Sequence, residues 1–360
     1  FTNNPTAANW YSAKYADRQR LKETIPSVYL MGNTRIARLQ LQGGIRMEKT
    51  MTESEEFDPL TPSQVIAAGY TANAGTGQAT TIPGLIYQFE SRPKVLRKGD
   101  YTNFFPSLSG KYRITSDFIV DAGYGKSIRR PNLNNITGLF EYDEINREVE
   151  VANPNLKPEE SDRYALNASY YLPSAGSLGL TLSETHIEKL TDTTEFTAAE
   201  FGITDPALAD YTVITRTQGE GKRRFRSMEI NYRQRLRMLP GALRGTTVFA
   251  TYTRTYATER RRGMTPHTLT GGFDFKYKKF GFGLKGIWQD EAPWSNATRY
   301  RPEVFKVDGS LDFELTRWAT FFVQARNISN QDHIVKEADG RLWRAENYGS
   351  NWVFGLRGRF

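Results

Sequence analysis

Residues Phe105 to Arg130 read FPSLSGKYRITSDFIVDAGYGKSIRR, and their alternation decides the fold. In the first arm Leu108, Gly110, Tyr112 and Ile114 are apolar or small, while Ser107, Ser109, Lys111 and Arg113 between them are polar. Thr115-Ser116-Asp117 reverses the chain. The return arm sets Phe118, Val120, Ala122, Tyr124 and Ile128 against Asp121, Ser127 and Arg129. A period of two belongs to a β-strand with one apolar and one polar face. Each arm has about the 9 to 11 residues that a tilted strand needs to cross a bilayer. Two arms and a tight turn make a hairpin, and the rest of the chain repeats it.

The chain has 360 residues, enough for two soluble domains or one large barrel. Its mean hydropathy of −0.58 looks soluble, and no stretch approaches the roughly 20 apolar residues of a spanning helix. A helical membrane protein is excluded. A transmembrane barrel is not, because its strands show lipid only every second residue. Without cysteine there are no disulfides or thiolate metal sites, and the three histidines (His186, His267, His333) lie far apart in sequence. The sequence calls for no cofactor and no metal. The net charge of +8 is spread over strands and loops, which argues against nucleic acid as a partner. No HExxH, GxSxG or phosphate-loop motif occurs. The adjacent acids Asp143-Glu144 and Glu159-Glu160 read as solvated loop residues, so no enzyme is expected. The first residues have no basic segment followed by an apolar one, so no signal peptide is visible. For a barrel, that leads us to expect an N-terminal part outside this sequence.

The alternation predicts strands in order. The first spans Thr24 to Met31, with a turn at Gly32-Asn33-Thr34, and the second runs from Arg35 to Lys49. A loop from Thr50 to Asp100, the central hairpin and a loop from Pro131 to Ser161 follow. The fifth and sixth strands turn at Pro173-Ser174-Ala175-Gly176, and a loop covers Thr191 to Gly221. Arg226 to Leu236 is the seventh strand, turned into the eighth at Leu239-Pro240-Gly241. A short basic loop (ERRRG) precedes the ninth and tenth strands. In the eleventh, Phe305, Val307, Gly309, Leu311 and Phe313 oppose Lys306, Asp308, Ser310, Asp312 and Glu314. A turn at Thr316-Arg317, the twelfth strand and a loop from Ser329 to Gly349 lead to the last strand, NWVFGLRGRF. The reading is all-β, about thirteen antiparallel strands with no amphipathic helix between them.

Connections alternate tight and long. Up-and-down topology then gathers the tight turns on one rim and the long loops on the other, as in outer-membrane barrels with short periplasmic turns and long extracellular loops. Charge agrees, because alternation puts Arg233, Arg235, Asp308 and Glu314 in the lumen. On the lipid face an Arg or Lys near the midplane costs about 2 to 4 kcal/mol. A soluble antiparallel barrel with a polar exterior is the blander alternative. Bacterial barrels use even strand numbers. Thirteen strands therefore read as the C-terminal portion of a barrel of about 22, since an open sheet cannot sit in hydrocarbon.

Three stretches are more specific than alternation: FFPSLSGKYRITSDFIVDAGYGKSIRRPNL from Phe104, NPNLKPEESDRY from Asn153, and the final strand ending on Phe360. In this order they resemble the C-terminal barrel region of TonB-dependent outer-membrane receptors. The resemblance implies that residues 1–360 are barrel only, with the plug domain and TonB-binding box absent. It implies capture of a scarce nutrient, a ferric siderophore or an oligosaccharide, on the outer loops and import powered through the TonB complex. A passive porin-like channel and a surface adhesin are the rival readings.

Under this reading the loop aromatics Trp10, Tyr11, Phe140, Tyr142, Trp294, Tyr300 and Trp343 are candidates for stacking on ligand. Lumen-facing Arg129, Arg233, Arg235, Arg326, Arg357 and Arg359 are candidates for contact with the plug, or for attracting anions. Trp352, Phe354, Leu356 and the terminal Phe360 resemble the signal read by barrel-assembly machinery. Pro154 and Pro158 set the geometry where loop becomes strand. Lys222-Arg223-Arg224 and Arg260-Arg261-Arg262, at outer strand ends, suit either lipopolysaccharide phosphates or ligand.

Overall fold

The computed structural model describes residues 6–16, 20–137, 141–143, 145–173, 175–203, 206–258, 262–295 and 298–358. Among them, fourteen strand segments form one antiparallel up-and-down sheet in sequence order. They make thirteen strands, because Pro26, which has no amide hydrogen, interrupts the first while both its segments pair with the second. The strands are β1 (Arg20–Thr24 and Ser27–Ile36), β2 (Leu39–Glu56), β3 (Val95–Arg113), β4 (Phe118–Arg129) and β5 (Glu159–Leu172). Then come β6 (Gly176–Glu188), β7 (Arg223–Arg235), β8 (Thr246–Ala257) and β9 (His267–Tyr277). The last four are β10 (Phe280–Gln289), β11 (Val304–Glu314), β12 (Ala319–Arg326) and β13 (Asn351–Gly358).

Register turns the alternation within each strand into continuous rows across the sheet. Cross-strand partners link Leu39, Tyr112, Val120, Ala168, Leu180, Ile230, Tyr252, Leu269, Trp288 and Phe305 from β2 to β11. The neighbouring row, one residue along each strand, reads Gln40, Lys111, Asp121, Asn167, Thr181, Glu229, Thr253, Thr268 and Gln289. A slip of one residue in any pair would mix these rows, so the greasy face fixes the pairing.

The rows also slope. Leu39 starts β2 at its tight-turn end, whereas Phe305 lies at the loop end of β11. Nine interstrand steps of about 4.8 Å carry the row up roughly 30 Å of strand, so the strands lean by about 35°, the inclination that a barrel needs.

Five tight turns lie at one end, at 37–38, 114–117, 173–175, 278–279 and 315–318, together with a ten-residue turn at 236–245, among the described residues. At the other end are a first loop (57–94), a second (130–158), a third (189–222), a fourth (258–266), a fifth (290–303) and a sixth (327–350). The expected segregation of loop length is present with one exception, since the 236–245 turn is slightly longer than the fourth loop.

Three expectations are corrected. The first turn lies at Ala37-Arg38, not at Gly32-Asn33-Thr34, and Ala37 takes φ +53 to make it. The observed register sets Val28, Leu30 and Ile36 against Met47, Ile45 and Leu39. A turn centred on Asn33 would have brought Tyr29, Ser27 and Ile25 to that face, so apolar pairing overrides the turn residues. Second, β2 and β3 run past Thr50 and Asp100, because opposite charges lie across the extended ladder. Arg97 Nε is 2.8 Å from Glu56 Oε2, and Lys98 Nζ is 3.3 Å from Glu53 Oε1. Charged pairs on both strands hide a β-ladder from a reading based on apolar alternation. Third, short helices do occur, but inside loops: Pro62–Ala67, Ile82–Glu90, Leu133–Ile136 and Ala198–Phe201, with Ala7–Tyr11 before β1. Each crosses nothing, and the wall remains all strand.

Candidate functional site

The loops fold into small bodies on the rim. The first loop builds a core from Leu60, Val65, Ala79, Leu85 and Phe89, onto which the N-terminal segment brings Tyr15. Gln88 is buried in it and fully used. Its Oε1 accepts from the Ala79 amide at 2.9 Å and its Nε2 donates to Gly77 O at 3.0 Å. Trp10 and Tyr11 pack, half-buried, against this core, with the Tyr11 ring 5.5 Å from that of Phe89.

The second and third loops share a four-stranded sheet, in the order 191–197, 212–218, 148–151, 141–143. Its central pair, Thr212–Gln218 and Glu148–Val151, is parallel. Val149 and Val213 are register partners, both 0% exposed, beneath Ala198 of the short helix. That helix opens with a capping box between Thr197 and Glu200. Tyr142 packs at the margin of this core. Phe140 lies outside the described residues.

The fifth and sixth loops share a second four-stranded sheet, in the order 292–295, 299–301, 333–337, 342–346. Here the contacts are between rings and cations. The guanidinium of Arg262, from the fourth loop, lies 4.2 Å from the Trp294 ring, and His333 meets that ring edge-on at 5.3 Å. Arg299 sits 4.1 Å over Trp343 and donates to Glu337 at 3.1 Å. Tyr300, beside Arg299, pairs with Pro293 and Lys336. Glu346 accepts from the Tyr348 hydroxyl at 2.6 Å and from Arg344, and it lies 3.6 Å from His333 Nδ1. The Tyr348 bond, then Arg344, holds the Glu346 carboxyl below the usual carboxylate range, while the same bond pushes the Tyr348 hydroxyl up. Arg301 ties the group together by donating to Gln289 Oε1 at 2.9 Å and Thr265 Oγ1 at 3.1 Å.

Of the seven aromatic candidates, the structure therefore gathers Trp294, Tyr300 and Trp343 on one sheet and leaves the other described ones in two separate bodies. Sequence reasoning missed Arg262 as a partner of Trp294, together with Arg299, His333 and Glu346. The available signal was local: RYR at 299–301 and RLWR at 341–344 interleave arginine with aromatic.

The motif stretches meet beneath the second loop. Arg130 Nη2 donates to the largely buried Glu48 Oε2 at 2.8 Å, and Arg46 reaches the same carboxylate at 3.1 Å. Gly99 lies so close to the NPNL segment that a Cβ there would come 2.4 Å from Pro154 O. This is a docking joint for loop on wall.

Among the lumen candidates, Arg129, Arg233, Arg235, Arg326 and Arg357 all fall on the polar face by parity. Arg129 lies 3.7 Å from Glu159, Arg233 3.8 Å from Asp274 and Arg357 3.5 Å from Asp312. On β13, Trp352, Phe354 and Leu356 continue the apolar face opposite Ala325, Val323 and Phe321. Arg359 and Phe360 lie outside the described residues, as do Arg260 and Arg261.

A family model described as TonB dependent receptor-like, beta-barrel matches residues 1–328. No curated protein matches the chain. Among solved structures, the ferric-catecholate import receptor Fiu from K12 E. coli, in its closed form, superposes with a TM-score of 0.64 at 16% identity. That match covers 94% of this chain and 45% of that one. The ferric enterobactin receptor PfeA from Pseudomonas aeruginosa, in complex with enterobactin, gives 0.62 at 13% identity, over 94% and 54%. The ferric citrate transporter FecA, unliganded, gives 0.60 at 15%, over 94% and 45%. At such identities the likeness shows the fold alone, and the chain spans about half the length of these structures. The family model reaches further, because it matches far more than half of the sequence and ends just past β12, in the sixth loop. The chain belongs to the TonB-dependent receptor β-barrel family.

Proposed function

We propose that this chain supplies part of the wall and outer mouth of an outer-membrane receptor that imports an anionic, aromatic metal chelate. The fourth to sixth loops capture the chelate, and the TonB complex powers its passage. The observation that carries the reading is the setting of Arg262 on Trp294 and Arg299 on Trp343 within one connected group of loops. Guanidinium groups over indole rings offer positive charge and a π-face together, the chemistry that a ferric catecholate or carboxylate presents in reverse. A neutral oligosaccharide would need the indole faces for itself, and here cations cover one face of each. Two of the similar structures are receptors for ferric catecholate and ferric enterobactin, which supports this class.

Both β1 and β13 present one unpaired edge among the described residues. Hydrocarbon does not tolerate such edges, so further strands of the same barrel would close it around a plug that faces Arg129, Arg233, Arg235, Arg326 and Arg357. The outward Trp352, Phe354 and Leu356 would serve barrel assembly.

The test uses the complete receptor. Tryptophan quenching should report tighter binding of a ferric catecholate than of a neutral oligosaccharide, and uptake should stop when the proton-motive force is collapsed. Preference for the sugar would overturn the substrate class. Uptake that survives the collapse would mean a passive channel, and binding without uptake an adhesin.

A further inference from the structure

The apolar face gives way to charge before the strands end. Toward the loops, the outward positions of β5, β6 and β7 pass from Leu166, Leu182 and Met228 to Tyr164, Glu184 and Arg226, and then to Asp162, His186 and Arg224. On β8 the first two of these rows continue as Arg254 and Tyr256. A groove runs along this boundary. Leu166, Leu182 and Met228 line it, with Arg254 at the end of their row and Arg226 and Tyr256 in the next.

Its charge is only partly balanced. Glu184 accepts from Arg226 Nε at 2.9 Å, lies 3.2 Å from Arg224 Nε, and is 2.6 Å from His186 Nε2. Asp162, one row outward, is bonded by the Tyr124 hydroxyl at 2.7 Å. Arg254 has no anionic partner among the described residues. The groove is therefore lined by two arginines against one carboxylate.

On a soluble protein this would be a solvated surface. Here it continues the face that meets acyl chains, at the strand ends that carry the long loops, and hence at the outer leaflet. We infer that the groove holds a phosphorylated glycolipid of that leaflet. Its acyl chains lie on Leu166, Leu182 and Met228, and its phosphate sits between Arg226 and Arg254. Its sugar rests against Tyr164 and Tyr256. Guanidinium forks match phosphate oxygens with two parallel hydrogen bonds, and tyrosines favour the level where lipid meets water. The inference rests on the bilayer placement of the proposed receptor and not on what that receptor imports.

The experiment uses the complete receptor in detergent, with native mass spectrometry and three probes: bisphosphorylated lipid A, dephosphorylated lipid A and phosphatidylglycerol. The bisphosphorylated form should be retained best. Arg254→Ala, which removes no described hydrogen bond, should weaken its retention by at least about tenfold. Adding Arg226→Ala should bring retention to background, while Arg317→Ala at the opposite rim should change nothing. Heat-modifiable migration confirms that each variant is folded. Wild-type retention by the Arg254→Ala variant, or equal retention of any other probe, would overturn the site. A receptor that will not insert into vesicles would overturn the bilayer placement itself. One that inserts and binds chelate, yet ignores Arg254, loses this inference alone.

Discussion

Two loop sheets stand on the same rim, each made of four strands lent by two loops, and they are held together by different means. In the sheet of the second and third loops, Val149 and Val213 are wholly buried beneath Ala198 of a capped helix. In the sheet of the fifth and sixth loops, buried apolar residues are few, Val335 and Ala292 among them, and the prominent contacts are arginine on tryptophan and ion pairs. Burying an aliphatic side chain contributes about 1.5 to 3 kcal/mol, and nothing arriving from solvent can replace it. A cation on an exposed ring contributes about 0.5 to 1 kcal/mol, and an incoming anion or aromatic ring can exchange with it. One sheet spends its contacts on holding its shape, and the other keeps contacts that a ligand can take over.

The sharpest way to break this contrast is Val213→Asp. An unpaired carboxylate in the first sheet should cost about 3 kcal/mol or more and unfold it locally. Limited proteolysis should then cut the second and third loops while the barrel still migrates as folded. A barrel that unfolds with it would show that the sheet is part of the wall's stability.

The paired substitution Arg299→Ala with Trp343→Ala should do the reverse. Chelate affinity should fall about 10- to 100-fold, the equivalent of roughly 1.4 to 2.8 kcal/mol, with no change in the melting temperature. A large drop in melting temperature would make these residues scaffold and erase the contrast.

The smallest effect concerns Glu346. Its carboxyl is held low chiefly by the Tyr348 hydroxyl, so whatever the charged form contributes is present above the ordinary carboxylate range. That contribution is lost only as pH falls through the lowered folded value. Tyr348→Phe should move the acid loss of chelate binding to higher pH, measured by tryptophan fluorescence. An unchanged profile would remove Glu346 from the site.

The wall was legible in the sequence because parity propagates: once Leu108 and Tyr112 face outward, pairing imposes the same sorting on every neighbour. The turn at Ala37 was not legible, since its position follows from which register matches apolar residues, and Ala37 itself carries no turn signal. The loop sheets were hidden for another reason. Each sheet is two hairpins from two loops, joined only through its central pair, Glu148 with Thr212 in one and Arg299 with Glu337 in the other. Segments of three to seven residues have too little alternation to announce themselves. The site was half legible, with its tryptophans marked by type and the cations that cover them placed only by folding.

The central claim is the sorting of side chains into a lipid face and a water face. This sequence contains no cysteine, so single cysteines can be placed and labelled one at a time along β6 from Ser177 to Ser183 in the complete receptor, in vesicles. Fluorophores at Leu178, Leu180 and Leu182 should be quenched by brominated lipid, and those at Gly179, Thr181 and Ser183 by aqueous iodide. Quenching that fails to alternate, or alternates in the opposite phase, would contradict the account.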